Sequence, residues 1–112
     1  MALPTKYRLK NRKEFDSVKK KGRLASGPFF SMLVFRDKTE EPAKFGFVVS
    51  KKIDKRAVVR NKIRRLLSAA VMEVAAKAPA GLKIIFLAKH PIKEANLAEM
   101  KQSLKSLAEN LR

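Results

Sequence analysis

The sequence predicts a mixed α/β domain in which helices pack on a small mixed β-sheet as a two-layer sandwich. The main observation is that amphipathic segments with a helical period alternate with short runs rich in β-branched and aromatic residues. Their order is roughly αββ(β)αβα, with the bracketed strand left unplaced. A hydrophobic fraction of 46% supplies side chains for a core, and 112 residues suit one core rather than two. We therefore expect a single domain over residues 1–112.

The first predicted element is a short helix from Arg12 to Lys21. Asn11 is a suitable N-cap, and Glu14 follows three residues later, as in a capping box. Gly22 is a natural end for this helix.

Two strands are predicted next. Phe29 to Phe35 (FFSMLVF) is rich in β-forming and aromatic residues and reads as a mostly buried strand. Asp37 to Pro42 is a charged turn, and Lys44 to Ser50 (KFGFVVS) then follows as the second strand of an antiparallel hairpin.

A long helix is predicted from Ala57 to Ala78, because its apolar residues form one continuous stripe. Ile63 and Leu67 lie near the centre of that stripe. The stripe consists of Val59, Ile63, Leu66, Leu67, Ala70, Val71 and Val74.

The chain ends with a predicted strand and a predicted helix. Leu82 to Ala88 (LKIIFLA) has the apolar centre of a buried strand, and His90-Pro91 breaks it. Asn96 to Leu111 then follows as an amphipathic helix.

Several function classes are excluded or disfavoured by composition. With no Cys and one His, the chain has no disulfide framework, no thiol nucleophile and no Cys- or His-cluster metal site. Neither a phosphate-binding G-x-x-x-x-G-K loop nor a G-x-S-x-G elbow occurs, and the acidic residues are not spaced as a metal-binding cluster. The longest uncharged stretch, Leu24 to Phe35, is far shorter than a membrane span of ~20 residues. We expect no catalytic residues, no bound metal, no small-molecule substrate and a cytoplasmic location.

Charge is the dominant signal for function. The net charge is +17, and two short segments, Lys6 to Arg23 and Ser50 to Arg65, each contribute +7. Basic blocks separated by neutral sequence favour a polyanionic partner, foremost a nucleic acid. An anionic membrane surface or simple solubility would be the alternatives, and no membrane partner is expected.

The helix around VVRNKIRRLL concentrates this charge. Arginine presents a planar fork of donors that matches phosphate oxygens. Arg60 is expected at the margin of the apolar stripe and Arg64 farther onto the polar side, so both charged ends should reach solvent. The Asn61 side chain can donate and accept hydrogen bonds at once. It suits either the sugar or base edges of a nucleic acid or a local bond to residues 52–55. Phe15 either fixes the first helix on the sheet or lines a groove in which it stacks on an unpaired base.

These residues also carry a resemblance. The run Ala57 to Leu67 (AVVRNKIRRLL) resembles the A-x-x-R-N-x-x-[KR]-R signature of the bacterial ribonuclease P protein component. Gly46 to Lys52 (GFVVSKK) is similar to the strand and basic turn that precede that signature. Arg8 to Gly22 is similar to the family's first helix, and the resemblance extends from about Tyr7 to Leu111.

The resemblance implies that the protein is the subunit of a ribonucleoprotein whose catalytic RNA removes the 5′ leader of precursor tRNA. Hydrolysis would occur at Mg²⁺ ions of the RNA, with no cofactor bound by the protein alone. The implied fold is similar to that of certain ribosomal proteins and has a left-handed βαβ crossover, against the usual rule. The implied contacts to the catalytic RNA are Lys51, Lys55, Arg56, Arg60, Asn61, Lys62, Arg64 and Arg65. The implied cleft for the precursor's leader is formed by Arg12, Phe15, Lys19, Leu33, Val48 and Lys52.

The sequence also departs from the family pattern. Lys19 stands where a second aromatic residue is frequent, Leu33 where a tyrosine is common, and Val48 where a small polar residue is common. Ser68 and Ala69 replace a frequent Arg-Glu pair. These departures indicate a leader cleft that relies more on charge and less on stacking.

Two other functions remain as alternatives. A ribosomal protein or RNA-assembly chaperone with no role in cleavage would suit the same fold and charge. A nuclease that acts alone is disfavoured because the sequence lacks a carboxylate cluster.

Overall fold

The computed structural model describes residues 4–9, 11–75 and 77–110. Within them the chain forms three α-helices, a four-stranded sheet and two short 3-10 segments, Thr5–Tyr7 and His90–Glu94. This confirms the predicted mixed α/β class. In chain order the helices and strands are α1 (Arg12–Lys21), β1 (Arg23–Ser26), β2 (Phe30–Arg36), β3 (Lys44–Val48), α2 (Ala57–Ala75), β4 (Leu82–Ala88) and α3 (Leu97–Asn110).

The strand order in the sheet is β1-β2-β4-β3. β2 pairs antiparallel with β4 in the register Met32↔Phe86, and β3 pairs parallel with β4 in the register Phe47↔Phe86. The predicted antiparallel hairpin of β2 and β3 is therefore wrong, because β4 lies between them. The physical reason is that Ile85 and Phe86 on successive positions of β4 are both fully buried. A strand that is apolar on both faces belongs at the centre of a sheet with a neighbour on each side.

The segment β3–α2–β4 is thus a crossover between adjacent parallel strands. Its left hand, which the family resemblance implies, stays a prediction.

The strand that the sequence pattern did not place is β1. It pairs antiparallel with β2 in the register Leu24↔Leu33. Leu24 is 64% exposed, so this edge strand lacks the buried alternation by which a pattern identifies strands.

Alternate residues of the strands face two different layers. On one face Met32, Ile84 and Phe86 pack with α2 and α3 in the main core. On the other face Leu33, Ile85 and Leu87 pack with α1. Helices therefore cover both faces of the sheet, which is one more layer than the pattern predicts. Phe86 is central to the main core, with its ring 5.4 Å from each of the Phe30 and Phe47 rings.

Helix α2 buries most of the predicted stripe, with Ile63, Leu67 and Val71 at 3% exposure or less. Val74 is an exception at 38% exposure, and Ala75 is buried in its place. The described helix ends at Ala75, residue 76 lies outside the described residues, and residues 77–78 form a turn. The expected end at Ala78 is therefore three residues too late.

The predicted start of the last helix is confirmed within one residue. Asn96 is the N-cap of α3, where its Oδ1 accepts from the Glu99 amide at 2.8 Å and the Glu99 carboxylate accepts from the Asn96 amide at 3.1 Å. This is a reciprocal capping box. The predicted end at Leu111 lies outside the described residues. None of the helices in the described part of the chain is both long and apolar enough to cross a membrane.

Candidate nucleic-acid interface

Helix α1 is fixed at its start and along one face. The Asn11 Oδ1 accepts from the Glu14 amide at 2.9 Å, as predicted. The Glu14 carboxylate does not return to Asn11 but pairs with Lys44 of β3, with Oε1 and Nζ 3.5 Å apart. Val18 is fully buried against the sheet. Because residues i and i+7 share a helix face, α1 presents Arg12 and Lys19 on one side.

Strand β3 forms the floor next to α1. Gly46 lies directly under Phe15: a Cβ placed on this glycine would be 2.6 Å from the Phe15 Cζ. A side chain at position 46 is incompatible with this ring position, so the glycine permits the ring to rest on the strand. Phe15 thus fixes the helix on the sheet and stays half-buried, with one side open.

Two adjoining hollows run over β3 between α1 and α2, and we call them together the groove. One hollow, of ≈ 630 Å³, includes Asn61, Arg64 and Arg65 of α2. The other, of ≈ 480 Å³, includes Arg12 and Lys19 of α1. Three residues line both hollows: Phe15, Phe47 and Arg64. The two surfaces that the sequence treats separately, the signature helix and the first helix, therefore meet in one groove.

The groove is strongly cationic. Among its lining residues five are basic and one, Asp16, is acidic. The basic ones are Arg8, Arg12, Lys19, Arg64 and Arg65. With the Phe15 ring between them, this lining combines phosphate-binding donors with a surface on which a base can stack.

Arg64 connects α2 to the end of β3. Its Nη1 donates to the Asn61 Oδ1 at 2.8 Å, and its Nη2 lies 3.5 Å from the Val49 carbonyl oxygen. The local bond of Asn61 is therefore to Arg64 and not to residues 52–55. This bond orients both side chains along the wall of the groove.

The basic turn before α2 is organised by Asp54. The Asp54 side chain is 6% exposed, and its carboxylate accepts from the Arg56 Nε at 3.1 Å, the Arg56 Nη2 at 3.0 Å and the Arg56 amide at 2.8 Å. Lys93 of the second 3-10 segment is a further partner, with its Nζ 3.1 Å from Oδ2. Hydrogen bonds from Arg56, and then from Lys93, hold the pKa of Asp54 well below its usual range.

Arg60 belongs to the same arrangement. Its Nη1 donates to the backbone carbonyl oxygens of Asp54 at 3.0 Å and Lys55 at 2.8 Å. The sequence predicted only that this charged end reaches solvent; the structure adds that the half-buried guanidinium is bound to the turn. The carbonyls of Asp54 and Lys55 precede α2, and the guanidinium one turn into the helix donates hydrogen bonds to both.

The remaining predicted residues are placed as follows. Lys62 of α2 is exposed on the far side from the core, and Leu33 packs beneath α1 in the second core cluster without lining the groove. Val48 lines the hollow beside α1. The exposed lysines of the turn, which lie beyond the groove lining, are Lys51, Lys52 and Lys55.

The lining residues that sequence reasoning missed include Arg8 and Leu9, which precede α1. The Leu9 amide donates to the Phe45 carbonyl at 3.0 Å, and Arg8 forms an isolated parallel β-bridge with Phe45. This segment therefore lies along the outer edge of β3. No local pattern marks such a single bridge. Among the described residues there is no group of three or more His, Cys, Asp or Glu that could hold a metal ion.

Comparisons with known proteins agree on one family. The family model described as ribonuclease P matches residues 3–112. The ribonuclease P protein component of Microcystis aeruginosa is 32% identical over 110 residues, which is 96% of this chain and 92% of the relative. That of Geobacillus kaustophilus is 36% identical over 103 residues, 91% of this chain and 84% of the relative.

Solved structures show the same fold. The RNase P protein of Staphylococcus aureus superposes with a TM-score of 0.83 at 27% identity, covering 95% of each chain. The RNase P protein of Thermotoga maritima superposes with a TM-score of 0.80 at 21% identity, covering 94% of this chain and 97% of that one. The latter likeness is evidence of the fold alone.

Proposed function

Because this chain belongs to the ribonuclease P protein family, we propose which of its surfaces binds which RNA. The family's proteins form part of a ribonucleoprotein endoribonuclease of tRNA 5′ maturation. The outer face of α2 and the basic turn before it bind the catalytic RNA. The groove between α1 and α2 receives the single-stranded 5′ leader of precursor tRNA. The protein thereby holds the substrate beside the RNA's active centre.

The observation that carries this proposal is the continuity of the groove at Phe15 and Arg64, which line both hollows. A strand of RNA that follows the groove passes from the cationic side of α1, over an open aromatic ring, to the arginines of α2. Unpaired bases stack on aromatic rings for ~1–3 kcal/mol each, while the phosphates meet basic side chains. A duplex offers no unpaired base to stack on this ring, so the groove fits single-stranded RNA.

The proposed contacts to the catalytic RNA are the exposed basic residues around α2. Arg60 supports them from within, because its guanidinium is bound to the turn. The direct contacts are Lys51, Lys55, Arg56 and Lys62, together with Asn61, Arg64 and Arg65 where the groove meets the α2 face. The leader contacts are Arg12, Phe15, Lys19 and Val48, with Lys52 in the exposed turn beyond the groove lining and Leu33 supporting α1 from below.

The bond-breaking step, in this proposal, belongs to the RNA and its Mg²⁺ ions. The protein supplies positive charge that neutralises RNA phosphates at close approach, and it binds no cofactor of its own. Location in the cytoplasm stays a prediction from the sequence.

Reconstitution tests the assignment. The protein is mixed with a transcribed bacterial ribonuclease P RNA and a labelled precursor tRNA, and leader removal is followed at limiting Mg²⁺. We expect the protein to accelerate cleavage and the RNA to be indispensable. Cleavage by the protein without the RNA would show a nuclease that acts alone. Tight RNA binding with no effect on cleavage would favour an assembly or ribosomal role, which the comparisons do not favour.

Phe15→Ala tests the groove. Phe35→Ala is the matched control, because Phe35 is also a half-buried ring on the α1 face of the sheet but does not line the groove. We expect Phe15→Ala to weaken holoenzyme binding of leader-bearing precursor by ~1–3 kcal/mol and binding of mature tRNA hardly at all. Equal losses for both RNAs, or equal behaviour of the two variants, would place Phe15 in the core only.

A further inference from the structure

Asp54 is the only acidic residue between Ser50 and Arg65, in a segment of eight basic residues. A carboxylate in an RNA-binding surface repels phosphate, so its presence there needs a physical reason. Its side chain is only 6% exposed. A charge so withdrawn from water is tolerated when it is paired and hydrogen-bonded.

Asp54 joins three parts of the chain, two through its carboxylate and one through its backbone carbonyl. It accepts three hydrogen bonds from Arg56, it pairs with Lys93, and the carbonyl oxygen of the same residue accepts from Arg60 of α2. The backbone next to Lys93 is anchored, because the neighbouring Ile92 is buried in the main core at 1% exposure. The turn is thus tied both to α2 and to the segment that follows β4.

A backbone capping role alone does not require this arrangement. The bond from the Arg56 amide needs one acceptor oxygen, which an asparagine also offers. The two-pronged contact with the Arg56 guanidinium and the pair with Lys93 use both oxygens and the full negative charge. The carboxylate is therefore matched to holding two cations.

We propose that Asp54 is a positioning residue for the RNA-binding surface: it fixes Arg56 and the turn that presents Lys51, Lys52 and Lys55, so that these cations meet RNA in one orientation. This inference rests on the proposed function in that RNA is the ligand of the surface. Donors held in place lose less freedom on binding than donors on a loose turn.

The proposal makes a prediction opposite in sign to simple electrostatics. If Asp54 were only a negative charge among cations, Asp54→Asn would raise the net charge, free Arg56 and Lys93, and tighten RNA binding. If Asp54 positions the surface, the same variant weakens RNA binding although it is more positive. We expect binding about three- to tenfold weaker, within the range reported for residues that act through others.

The experiment compares Asp54→Asn with Glu94→Gln, an equal change of charge at an exposed residue of the segment that carries Lys93. Affinity is measured for a transcribed ribonuclease P RNA and for a single-stranded oligouridylate, at low and at physiological salt. We expect Glu94→Gln to bind as tightly as wild type or more tightly, and Asp54→Asn to bind more weakly. Asp54→Asn that binds as tightly as Glu94→Gln would overturn the proposal.

Leader removal provides a second readout, in which protein is counted as folded protein because a smaller folded fraction alone would also raise the midpoint. In titrations of RNA with active protein, Asp54→Asn should need more protein for half-maximal cleavage while the rate at saturating protein is unchanged. A lower rate at saturation with an unchanged midpoint would contradict a positioning role.

If Asp54→Asn does not fold, a variant of its ion-pair partner Lys93 tests the positioning role instead. Lys93→Gln leaves the Asp54–Arg56 contact in place, and Lys105→Gln is its control, at an exposed position of α3. We expect Lys93→Gln to bind RNA more weakly than Lys105→Gln, and equal affinities would refute the proposal. If wild-type protein binds both RNAs but never promotes leader removal, the proposed function fails while the order of the variants still tests the positioning role.

Discussion

Gly46→Ala tests the contact on which the groove is built. The added Cβ would lie 2.6 Å from Cζ and 2.7 Å from Cε1 of Phe15, and 3.2 Å from Cδ1 of Leu9. Nonbonded carbon atoms normally meet at ~3.5–4.0 Å, so the ring has to withdraw by about 1 Å. Overpacking of this kind costs ~1–3 kcal/mol. The ring that withdraws is also the proposed stacking surface, so binding of leader-bearing precursor should weaken together with stability.

A double-mutant cycle with Phe15→Ala isolates this contact. Without the ring, the nearest remaining atom given for the methyl group at position 46 is the Leu9 Cδ1 at 3.2 Å, so Gly46→Ala should then cost less. We expect a coupling free energy of about 1 kcal/mol or more, from denaturant unfolding of the two single variants and the double variant. Phe35→Ala is the control background, in which Gly46→Ala should keep its full cost. Costs that add within error in the Phe15→Ala background would refute the proposed packing.

Three further outcomes follow from the site and the core. Arg60→Ala should lower the free energy of unfolding by ~1 kcal/mol, because two carbonyls of the turn lose their donor. Arg65→Ala should change the free energy of unfolding by no more than about ±0.5 kcal/mol and lower the salt slope of RNA binding by ~1. Thermal melts and salt titrations in which the two variants behave alike would contradict this. The lowered pKa of Asp54 means that its ionised form contributes stability that is fully present above its usual value of 3.8 and is lost as the pH falls below it. In denaturant unfolding, Asp54→Asn should therefore have a lower free energy of unfolding than wild type at neutral pH, and this difference should shrink in acid. A difference that does not depend on pH would show that the ionised Asp54 does not stabilise the protein through its ion pairs. Leu67→Ala should cost ~2–5 kcal/mol in thermal or denaturant unfolding, since Leu67 is 1% exposed in the main core, and a cost below 1 kcal/mol would mean that the core is looser than described.

The elements that the sequence predicted well are those with a local signal. Asn11 is the N-cap of α1 as predicted, and α2 begins at Ala57 with Ile63 and Leu67 at the centre of its buried face. Strand pairing has no local signal. The turn after β2 suggested a hairpin, yet the apolar β4 displaces β3 from that position. Burial on both faces of β4 decides the order of the sheet, and it depends on which helices cover each face.

For the candidate site, the sequence identified the residue types but not their bonds. Arg60 and Arg64 are four residues apart on one helix, and the pattern predicts that both charged ends reach solvent. Arg60 is bound to the carbonyls of the turn, whereas Arg64 reaches Asn61 and lines the groove. The difference arises from where the chain before α2 runs, which periodicity does not encode.

The position of β4 in the sheet has a consequence for the order of events during protein synthesis. Both walls of the groove and its floor are encoded before residue 69, but the strand that joins β2 to β3 comes only with residues 82–88. A nascent chain that has not reached Ala88 carries both basic segments without the sheet that brings them together. Contacts distant in sequence form late, because the chain between them must first be closed into a loop. The groove can therefore form only after β4 has been synthesised, and a chain that stops before Ala88 contains both basic segments without the groove.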